Sequence, residues 1–501
     1  MSREFSRRAF LQGAGAASLG GSRLLAARRA ASPGWDSLEK HQAPGWFGDA
    51  KFGIYFHWGV YSVPAFDNEW YSRNLYIEGE RANTFHKLVY GPPSQFGYKD
   101  SIPTFHGEQF NPEAWAELIR KAGAKYAGPV AEHADGFSMW NSKVNPWNAA
   151  RMGPRRDVVG EMRRAIRNEG MRFIATLHHQ WLWGWYPTLD PSFDTSDPKY
   201  AGLYGPPAPG SPFDYHKPWS TLPPPPQAFQ DEWEAKAKEV VEGYRPSLLY
   251  FDSRLNIIDE RHLTDLISYY YAQAERWNEE VTVTYKGKDL PWGVGILDVE
   301  RGRLADTADY VWQTDDAIDW NSWCYVQNPH FKSAGRIVGE LVDIVSKNGN
   351  LLLDITPTSW GVMPEPVVER LLAIGRWLEV NGEAIYATRP WKVFGEGPTR
   401  ITPGAFGDRK TPNFTSHDIR FTTRGTTLYA IALGWPGDEA ELVIQSLGTS
   451  AGHIRKGQIT QVALLGSDAQ LSWHQGDEGL RITLPSVKPG DFAYAFKILM
   501  S

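Results

Sequence analysis

The chain has 501 residues, of which 42% are hydrophobic and 13% aromatic, so it is long enough for roughly two or three domains and too apolar to be disordered. Its 52 basic and 58 acidic residues leave a net charge of −6, which gives no support for nucleic acid or an anionic membrane as a partner. A single cysteine excludes an intrachain disulfide and a zinc–cysteine site, whereas 22 tryptophans suggest a carbohydrate site in which sugars stack on indole rings.

The N-terminus has the pattern of an export signal. Arg7 and Arg8 precede a stretch rich in alanine and glycine that runs to Ala27, and small residues suited to cleavage follow. This pattern resembles a twin-arginine signal, so we expect residues 1–32 to direct export to the periplasm or out of the cell. A disordered basic tail is the alternative, which Arg23 within the stretch favours. Beyond this segment no apolar run approaches the ~18 residues of a membrane span.

Between residues 35 and 388, short apolar strands alternate with amphipathic helices. The predicted strands span residues 52–56, 125–130, 173–177, 247–251 and 281–285. The predicted helices span residues 112–122, 158–169, 231–242, 263–274, 333–346 and 364–380. Apolar strands between helices are typical of a parallel sheet covered on both faces, and eight such units close a barrel. We therefore expect a (β/α)8-like (TIM-type) barrel, although the pattern does not place its last two or three strands.

Two insertions, at residues 67–105 and 206–226, are too long for ordinary barrel connections. Long loops are commonly functional, so both are candidate loops on the substrate side. The second contains four consecutive prolines, and a rigid surface brace is the alternative for it.

After residue 388, short alternating segments separated by turns replace the helices. The predicted strands span residues 418–423, 427–433, 441–444, 459–465, 480–484 and 492–498. This pattern predicts an antiparallel β-sandwich over residues 389–501. We expect it to pack as a lid on the barrel, with carbohydrate binding as the alternative.

Polar side chains follow the first four predicted strands at the points where those strands end. They are His57 with Trp58, Glu132 with His133, His178 with His179 and Trp181, and Asp252. In a (β/α)8 barrel the carboxyl ends of the strands meet at one rim, where the active site lies. We therefore predict one shared site on this rim.

The chemistry of these residues suits a sugar. Asp252 leaves an apolar strand, so its carboxylate is held rigidly and can serve as a nucleophile; an ion pair with Arg254 is the alternative. Neutral histidines form hydrogen bonds that suit sugar hydroxyls, and Trp58, Trp70 and Trp181 would supply stacking faces. A carboxylate nucleophile, a separate acid and such a binding wall are the parts of a retaining glycoside hydrolase.

A metal-dependent barrel hydrolase is the main rival, since histidine and aspartate at strand ends also bind zinc. That class usually begins with His-x-His on its first strand, where this chain has only His57. His178 and His179 are adjacent, so their side chains point to opposite sides of a strand. The sequence therefore favours a site without metal.

Five blocks carry a family resemblance. They are Phe52-Gly53-Ile54-Tyr55-Phe56-His57-Trp58-Gly59, Glu69-Trp70-Tyr71, His133-x-Asp135-Gly136-Phe137-x-x-Trp140, Arg156-Asp157-Val158-Val159-Gly160-Glu161 and Val345-Ser346-Lys347-Asn348-Gly349-Asn350-Leu351-Leu352-Leu353. In this order they resemble the α-L-fucosidases of glycoside hydrolase family 29, over about residues 35–395. The resemblance implies a (β/α)8-like catalytic domain followed by a β-sandwich. It also implies retaining hydrolysis of terminal α-L-fucose from oligosaccharides or glycoconjugates, without metal or organic cofactor.

On this resemblance Asp252 is the nucleophile, and His57, Trp70 and His133 are fucose-binding positions. The family has a tandem histidine where this chain has His133 followed by Ala134. One hydroxyl contact is therefore either lost or supplied by another residue.

Three residues are candidates for the missing contacts. Glu132 or His179 would replace the contact of the tandem histidine. His178 or His179 stands where the family has an aromatic contact after the third strand.

The acid/base residue departs from the family pattern. The block from Trp312 to Tyr325 aligns with a segment that often carries the acid/base glutamate, but this chain has Gln313 there. An amide cannot protonate a leaving oxygen. We assign the role to Glu300, with Arg301 beside it contacting or orienting the substrate and Trp312 among the binding residues.

Several alternatives stay open. Asp298 or Asp315 would be the acid if Glu300 only forms a loop salt bridge. Loss of the tandem histidine is compatible with a related sugar, such as an α-L-galactoside. Gln313 is the feature that favours a catalytically impaired fucose-binding protein. The sequence sets neither the linkage preference nor the oligomeric state.

Overall fold

Eight parallel strands form a closed barrel in the computed structural model, which describes residues 34–208 and 222–501. They are β1 Phe52–Phe56, β2 Tyr126–Glu132, β3 Arg172–Leu177, β4 Leu248–Phe251, β5 Thr282–Lys286, β6 Ile296–Asp298, β7 Trp312–Ala317 and β8 Gly349–Ile355. Each strand pairs with the next along the chain, and β8 closes the barrel on β1. The predicted barrel is confirmed. The predicted export signal and most of the second insertion lie outside the described residues.

The strands that the sequence pattern did not place differ in character from the others. β6 has three residues and pairs with β7 through Asp298 and Gln313. β7 has the sequence Trp-Gln-Thr-Asp-Asp-Ala and is buried along its whole length, although most of its residues are polar. Hydrophobic periodicity cannot reveal such a strand, because the polar side chains are themselves the interior of the barrel mouth.

Eleven α-helices lie within the described ranges. They are α1 Trp35–Leu38, α2 Gly45–Ala50, α3 Tyr71–Asn74, α4 Arg81–Val89, α5 Pro112–Lys121, α6 Val158–Asn168, α7 Ala201–Tyr204, α8 Gln227–Tyr244, α9 Glu260–Trp277, α10 Ala334–Ser346 and α11 Glu365–Asn381. Side chains cap several of them: Asn111 accepts a hydrogen bond from the Ala114 amide at 3.0 Å, and Ser333 accepts one from the Arg336 amide at 3.1 Å. None of the helices in this part of the chain combines the length and apolar character needed to cross a bilayer.

Two antiparallel sheets follow the barrel and enclose a hydrophobic core of their own. Their strands are β9 Arg389–Glu396, β10 Ile419–Arg424, β11 Thr427–Ala432, β12 Glu441–Ile444, β13 Ile459–Leu464, β14 Ser472–Gln475, β15 Leu480–Thr483 and β16 Tyr494–Met500. The larger sheet has the order β13-β16-β11-β10-β9, and the smaller has β12-β15-β14. The antiparallel sandwich is as predicted, with β9 and β14 added.

The larger sheet packs against the barrel helices α10 and α11. Arg420 on β10 forms a buried ion pair with Asp343 on α10 at 2.6 Å. The indole of Trp377 on α11 donates a hydrogen bond to the Ala493 carbonyl at 2.7 Å. The sandwich therefore braces one side of the barrel through buried polar contacts.

Candidate active site

The carboxyl ends of the barrel strands carry a ring of ionisable side chains. His57, His133, His178 and Asp252 follow β1, β2, β3 and β4, Lys286 and Asp298 end β5 and β6, Asp315 and Asp354 lie on β7 and β8, and Glu300 follows β6. The parallel strands point these ends to one rim, which is where barrel enzymes place their active sites. The ring divides into a charged half and a neutral half.

The charged half, which we call the carboxylate cluster, is Asp252, Asp298, Glu300 and Asp315 around Lys286. The Lys286 ammonium lies 3.1 Å from Asp252 Oδ1, 2.7 Å from Glu300 Oε2 and 3.2 Å from Asp315 Oδ2. One cation therefore contacts three carboxylates. Since Asp252 and Glu300 contact the same nitrogen, these two carboxylate oxygens are at most about 5.8 Å apart, the sum of their distances to it.

The two carboxyls that contact Lys286 differ widely in pKa. Burial opposes the ionisation of Asp252, but the Lys286 ammonium and His178 outweigh it and lower the pKa of the carboxyl to about 2. Burial raises the pKa of Glu300 to about 7, and the charges of Asp315 and Asp252 reinforce this against the pull of Lys286. Two carboxyls whose pKa values are pushed apart are typical of a nucleophile and a general acid.

Asp315 is bound on several sides. Its Oδ2 accepts hydrogen bonds from the Tyr250 hydroxyl at 2.8 Å and the Tyr55 hydroxyl at 3.1 Å, in addition to the Lys286 contact. Its side chain is 2% exposed, against 20% for Glu300. A leaving oxygen can therefore reach Glu300 more readily than Asp315.

Gln313 has a structural partner. Its Nε2 donates to Asp298 Oδ2 at 2.6 Å, and its Oε1 accepts from the Tyr126 hydroxyl at 3.1 Å. Burial, together with the neighbouring Asp315, raises the pKa of Asp298 well above its usual value. Gln313 thus occupies the place of the expected glutamate as one link in a buried hydrogen-bond chain.

The neutral half, which we call the histidine cluster, is His57, His133 and His178. The three ring centroids are 5.0 to 5.5 Å apart, and the rings lie edge to face or tilted. Burial lowers the pKa of all three, in His178 to about 4. Asp354 Oδ1 accepts from the His57 amide at 3.0 Å and lies 2.8 Å from His57 Nδ1, so it fixes that ring.

Two family models match this chain. One, described as α-L-fucosidase, matches residues 22–383, and the other, described as the α-L-fucosidase C-terminal domain, matches residues 412–499. The first covers well over half of the sequence. The chain belongs to the α-L-fucosidase family. The resemblance seen in the sequence is confirmed.

Relatives in this family match over almost their whole length. The tissue α-L-fucosidase of Homo sapiens is 32% identical over 482 residues, which cover 93% of this chain and 91% of that protein. The tissue α-L-fucosidase of Rattus norvegicus is 31% identical over 477 residues, covering 92% and 90%. The crystal structure of Thermotoga maritima α-fucosidase in complex with fucose has a TM-score of 0.73 at 28% identity, covering 93% of this chain and 99% of that one.

Aromatic side chains border the histidine cluster of this α-L-fucosidase family member. Trp70 lies 5.8 Å from Trp181 and 4.7 Å from Trp185, measured between ring centroids. Trp185 in turn lies 6.1 Å from His133. The structure therefore brings together Trp70 and Trp181, which the sequence predicted for sugar stacking, and adds Trp185.

Arg301 is buried beside the rim. Its guanidinium lies 4.4 Å from the ring centroid of Trp323 and donates to the carbonyls of Asp319 and Trp320 at 3.2 and 3.3 Å. Trp323 also lies 5.6 Å from His57. The described contacts of Arg301 thus orient the wall next to Glu300.

Four predicted site residues have their described contacts elsewhere. They are Trp58, which donates to the Thr358 carbonyl at 2.7 Å; Glu132, which pairs with Lys236 at 2.9 Å; His179, which stacks on Trp233; and Trp312, which begins β7 and donates to the Lys347 carbonyl at 2.9 Å. Successive side chains of a strand point to opposite faces, so Trp58 and Glu132 point away from the site that His57 and His133 face. His179 begins a short 3-10 helix after β3, and its ring packs on Trp233 of α8. Trp312 stands at the opposite end of its strand from the rim.

Five residues of the site were not predicted from the sequence. They are Glu69, Trp185, Lys286, Trp323 and Asp354. Lys286 is the last residue of β5. A polar side chain at the carboxyl end of an apolar strand was the signal that identified Asp252, and the same signal at the fifth predicted strand could have identified Lys286. Glu69 accepts from the Trp323 amide at 3.0 Å, and burial raises its pKa to about 7.

Proposed function

We propose that this protein is a retaining exo-α-L-fucosidase in which Asp252 is the nucleophile and Glu300 the acid/base. The contact of Asp252 and Glu300 with the same ammonium nitrogen, which keeps the two carboxyls close together, carries the proposal. Their oxygens beside Lys286 are at most about 5.8 Å apart. Retaining glycosidases hold their carboxyl pair about 5–5.5 Å apart, whereas inverting enzymes need about 6.5–9.5 Å to admit a water molecule.

The first step forms a covalent intermediate. Asp252 is ionised at neutral pH and attacks C1 of the fucoside, while protonated Glu300 donates its proton to the leaving oxygen. The C1–oxygen bond breaks, the alcohol leaves, and fucose is held as an ester of Asp252. Glu300 is then a carboxylate, removes a proton from water, and the resulting attack on C1 releases Asp252 with net retention.

Lys286 supports both carboxyls in this scheme. Its charge keeps Asp252 ionised in a buried position, where an isolated carboxylate would be protonated. Burial nevertheless leaves Glu300 with a pKa of about 7, close to the value that suits a group acting first as acid and then as base.

The histidine cluster would bind the sugar hydroxyls. Neutral imidazoles can donate one hydrogen bond and accept another, which suits hydroxyl groups. With a proton on His57 Nδ1 donated to Asp354 Oδ1 at 2.8 Å, the other ring nitrogen of His57 would accept from the sugar. Trp70 and Trp181 would pack on an apolar face of fucose.

The substrates we propose are terminal α-L-fucosides of oligosaccharides or glycoconjugates. We further propose export by a twin-arginine-type signal in residues 1–32, a catalytic domain at 35–388 and a sandwich at 389–501. Export would give the enzyme access to such substrates outside the cytoplasm, and mass spectrometry of the mature N-terminus would test the cleavage.

Turnover of a chromogenic α-L-fucoside tests the activity against two alternatives. We expect release of the chromophore, and α-L-fucose as the first anomer in the proton NMR spectrum. Faster turnover of the matching α-L-galactoside would favour the related sugar that the His133-Ala134 departure allows. Binding of fucose without turnover would favour an impaired fucose-binding protein, for which Gln313 is the motivating feature.

A further inference from the structure

We propose that the histidine cluster also binds a divalent transition-metal ion of the zinc or copper class, and that this ion excludes the fucoside. The competition rests on the proposed function, because the same rings would contact the sugar. The ion would be an inhibitor of the enzyme, not a participant in its reaction.

The positions of the ring nitrogens carry the proposal. One nitrogen from each of His57, His133 and His178 lies within 4.8 Å of the others. His133 Nδ1 and His178 Nε2 are buried, and neither has a hydrogen-bond partner among the described residues. Buried polar atoms without a partner are costly, so a ligand that satisfies them is favoured.

The donor set has the chemistry of an open zinc site. Three neutral imidazoles with a free fourth position form a ligand set that zinc enzymes use. Asp354 fixes His57 at 2.8 Å, as carboxylates commonly fix the histidine ligands of metals. Zinc holds its nitrogens at about 2.0–2.1 Å, hence about 3.3 Å from one another, so the rings would close by no more than about 1.5 Å.

The sequence pattern could not suggest this site. It contains no His-x-His on the first strand, and the adjacent pair His178 and His179 cannot both face one ion. The three ligands come instead from three neighbouring strands, one from each. The nearby Lys286 charge opposes a dication, so we expect weaker binding than at a structural zinc site.

Cobalt binding tests the site directly, because tetrahedral Co²⁺ has a strong visible absorption. We expect one Co²⁺ per wild-type chain, displaced by Zn²⁺, and competitive inhibition of the fucosidase by Zn²⁺ that a chelator reverses. His178→Phe should abolish the absorption. His179→Phe is the matched control and should preserve it, since the His179 ring stacks on Trp233 and hydrogen-bonds the Trp233 carbonyl at 3.0 Å, away from the cluster.

Two results would overturn the proposal: no stoichiometric Co²⁺ uptake by the wild-type enzyme, or equal uptake by His178→Phe. If His178→Phe does not fold, His133→Phe replaces it with the same expectation. Cobalt binding in a protein that turns over no fucoside would contradict the proposed function and leave the metal site standing. Fucoside turnover without cobalt binding would contradict the metal site and leave the proposed function standing.

A second inference concerns residues 404–408, which lie between the two family-model matches. We infer that this segment positions the loop that carries Glu300. The Phe406 amide donates to the Glu300 carbonyl at 2.8 Å, and the Asp408 amide donates to the Arg301 carbonyl at 3.0 Å. A Cβ added to Gly302 would lie 2.0 Å from the Gly404 carbonyl oxygen, so the two backbones are in close contact.

Asp408 adds a charged contact to this segment. Its Oδ2 lies 3.6 Å from the Arg301 guanidinium and 3.3 Å from the Lys332 ammonium, and all three side chains are buried. The connection between β9 and β10 of the sandwich therefore orders the loop between β6 and β7. Asp408 is a positioning residue that acts on Glu300 through Arg301.

Leaving-group dependence tests this role, which rests on Glu300 being the acid. Asp408→Asn should reduce kcat/KM about tenfold more for a fucoside with a poor leaving group than for an activated aryl fucoside, because only the former needs the acid. Asp408→Glu, which keeps the charge, should restore the ratio. Asp418→Asn is the matched control, since that carboxylate contacts Thr399 and Thr415 instead.

Equal losses on both substrates in Asp408→Asn, or the same selective loss in Asp418→Asn, would overturn the positioning role. If Asp408→Asn does not fold, Asp408→Ser gives the same comparison. If Glu300→Gln itself showed no leaving-group dependence, the assignment of Glu300 as the acid would be wrong. The contacts of residues 404–408 with its loop would not be contradicted.

Discussion

The carboxylate cluster and the histidine cluster share one rim and a similar depth, yet they are electrostatic opposites. In the first, the Lys286 ammonium contacts three carboxyls and keeps Asp252 ionised, while burial raises the pKa of Glu300 to about 7. In the second, the rings face one another, and burial leaves them neutral. A buried group therefore stays ionised only where a counter-charge touches it. We therefore assign the chemical steps to the carboxylate cluster and the binding of the sugar to the histidine cluster.

Removing the nucleophile should have the largest effect. Asp252→Ala is expected to reduce kcat/KM on every α-L-fucoside by on the order of 10⁴-fold or more, since no ester can form. The melting temperature and circular dichroism should stay close to those of the wild type. Substantial residual turnover would remove Asp252 from the chemistry.

Removing the acid should slow the hydrolysis of substrates with poor leaving groups much more than that of substrates with good ones. Glu300→Gln is expected to lose about 10²–10⁴-fold on natural fucosides and much less on activated aryl fucosides. Azide, which needs no general base, should restore part of the rate on the activated substrates. An unaffected variant would move the role to Asp298 or Asp315, with Asp315→Asn as the comparison to make first.

The pH profile should report the charge balance around Lys286. Glu300 must be protonated to act as the acid, so kcat/KM of the wild type should fall as pH rises through about 7. Lys286→Met removes the charge that holds the pKa of Asp252 near 2, so the acidic limb should move to higher pH. Lys286→Arg keeps a charge and should leave that limb in place; an unchanged limb in Lys286→Met would contradict the role of this cation.

Changing the support of the histidine cluster should have the smallest effect. Asp354→Asn keeps an acceptor near His57 but weakens a hydrogen bond worth about 1–2 kcal/mol, so KM should rise roughly tenfold while kcat changes little. A loss in kcat larger than that of the Lys286 variants would place Asp354 in the chemistry and break the division between the two halves.

The sequence predicted the barrel because its first five strands are apolar and punctuated by capped helices. It predicted the charged residue after β4 and the histidines after β1, β2 and β3, because polar side chains at strand ends stand out against apolar strands. It could not tell which of two adjacent residues faces inward. Trp58, Glu132 and His179 are buried next to inward-facing histidines, and only the backbone geometry at the end of each strand separates them from the site.

Other features depend on contacts between residues far apart in the chain. Lys286 contacts both Asp252 and Asp315 only because the barrel places β5 between the strands that carry them. Asp354 lies in a strand whose apolar neighbours carry no sign of a polar role. The segment at 404–408 contacts Glu300 across about 100 residues, and no local pattern encodes that contact.

Trapping the glycosyl-enzyme is the most direct test of the central claim, the division of the rim into a reacting half and a binding half. A 2-deoxy-2-fluoro-α-L-fucosyl donor with a good leaving group slows the second step, and peptide mapping by mass spectrometry locates the ester. We expect one fucosyl group per chain, attached to Asp252. A label on Glu300, Asp298 or Asp315, or turnover with inversion and no label, would contradict the account.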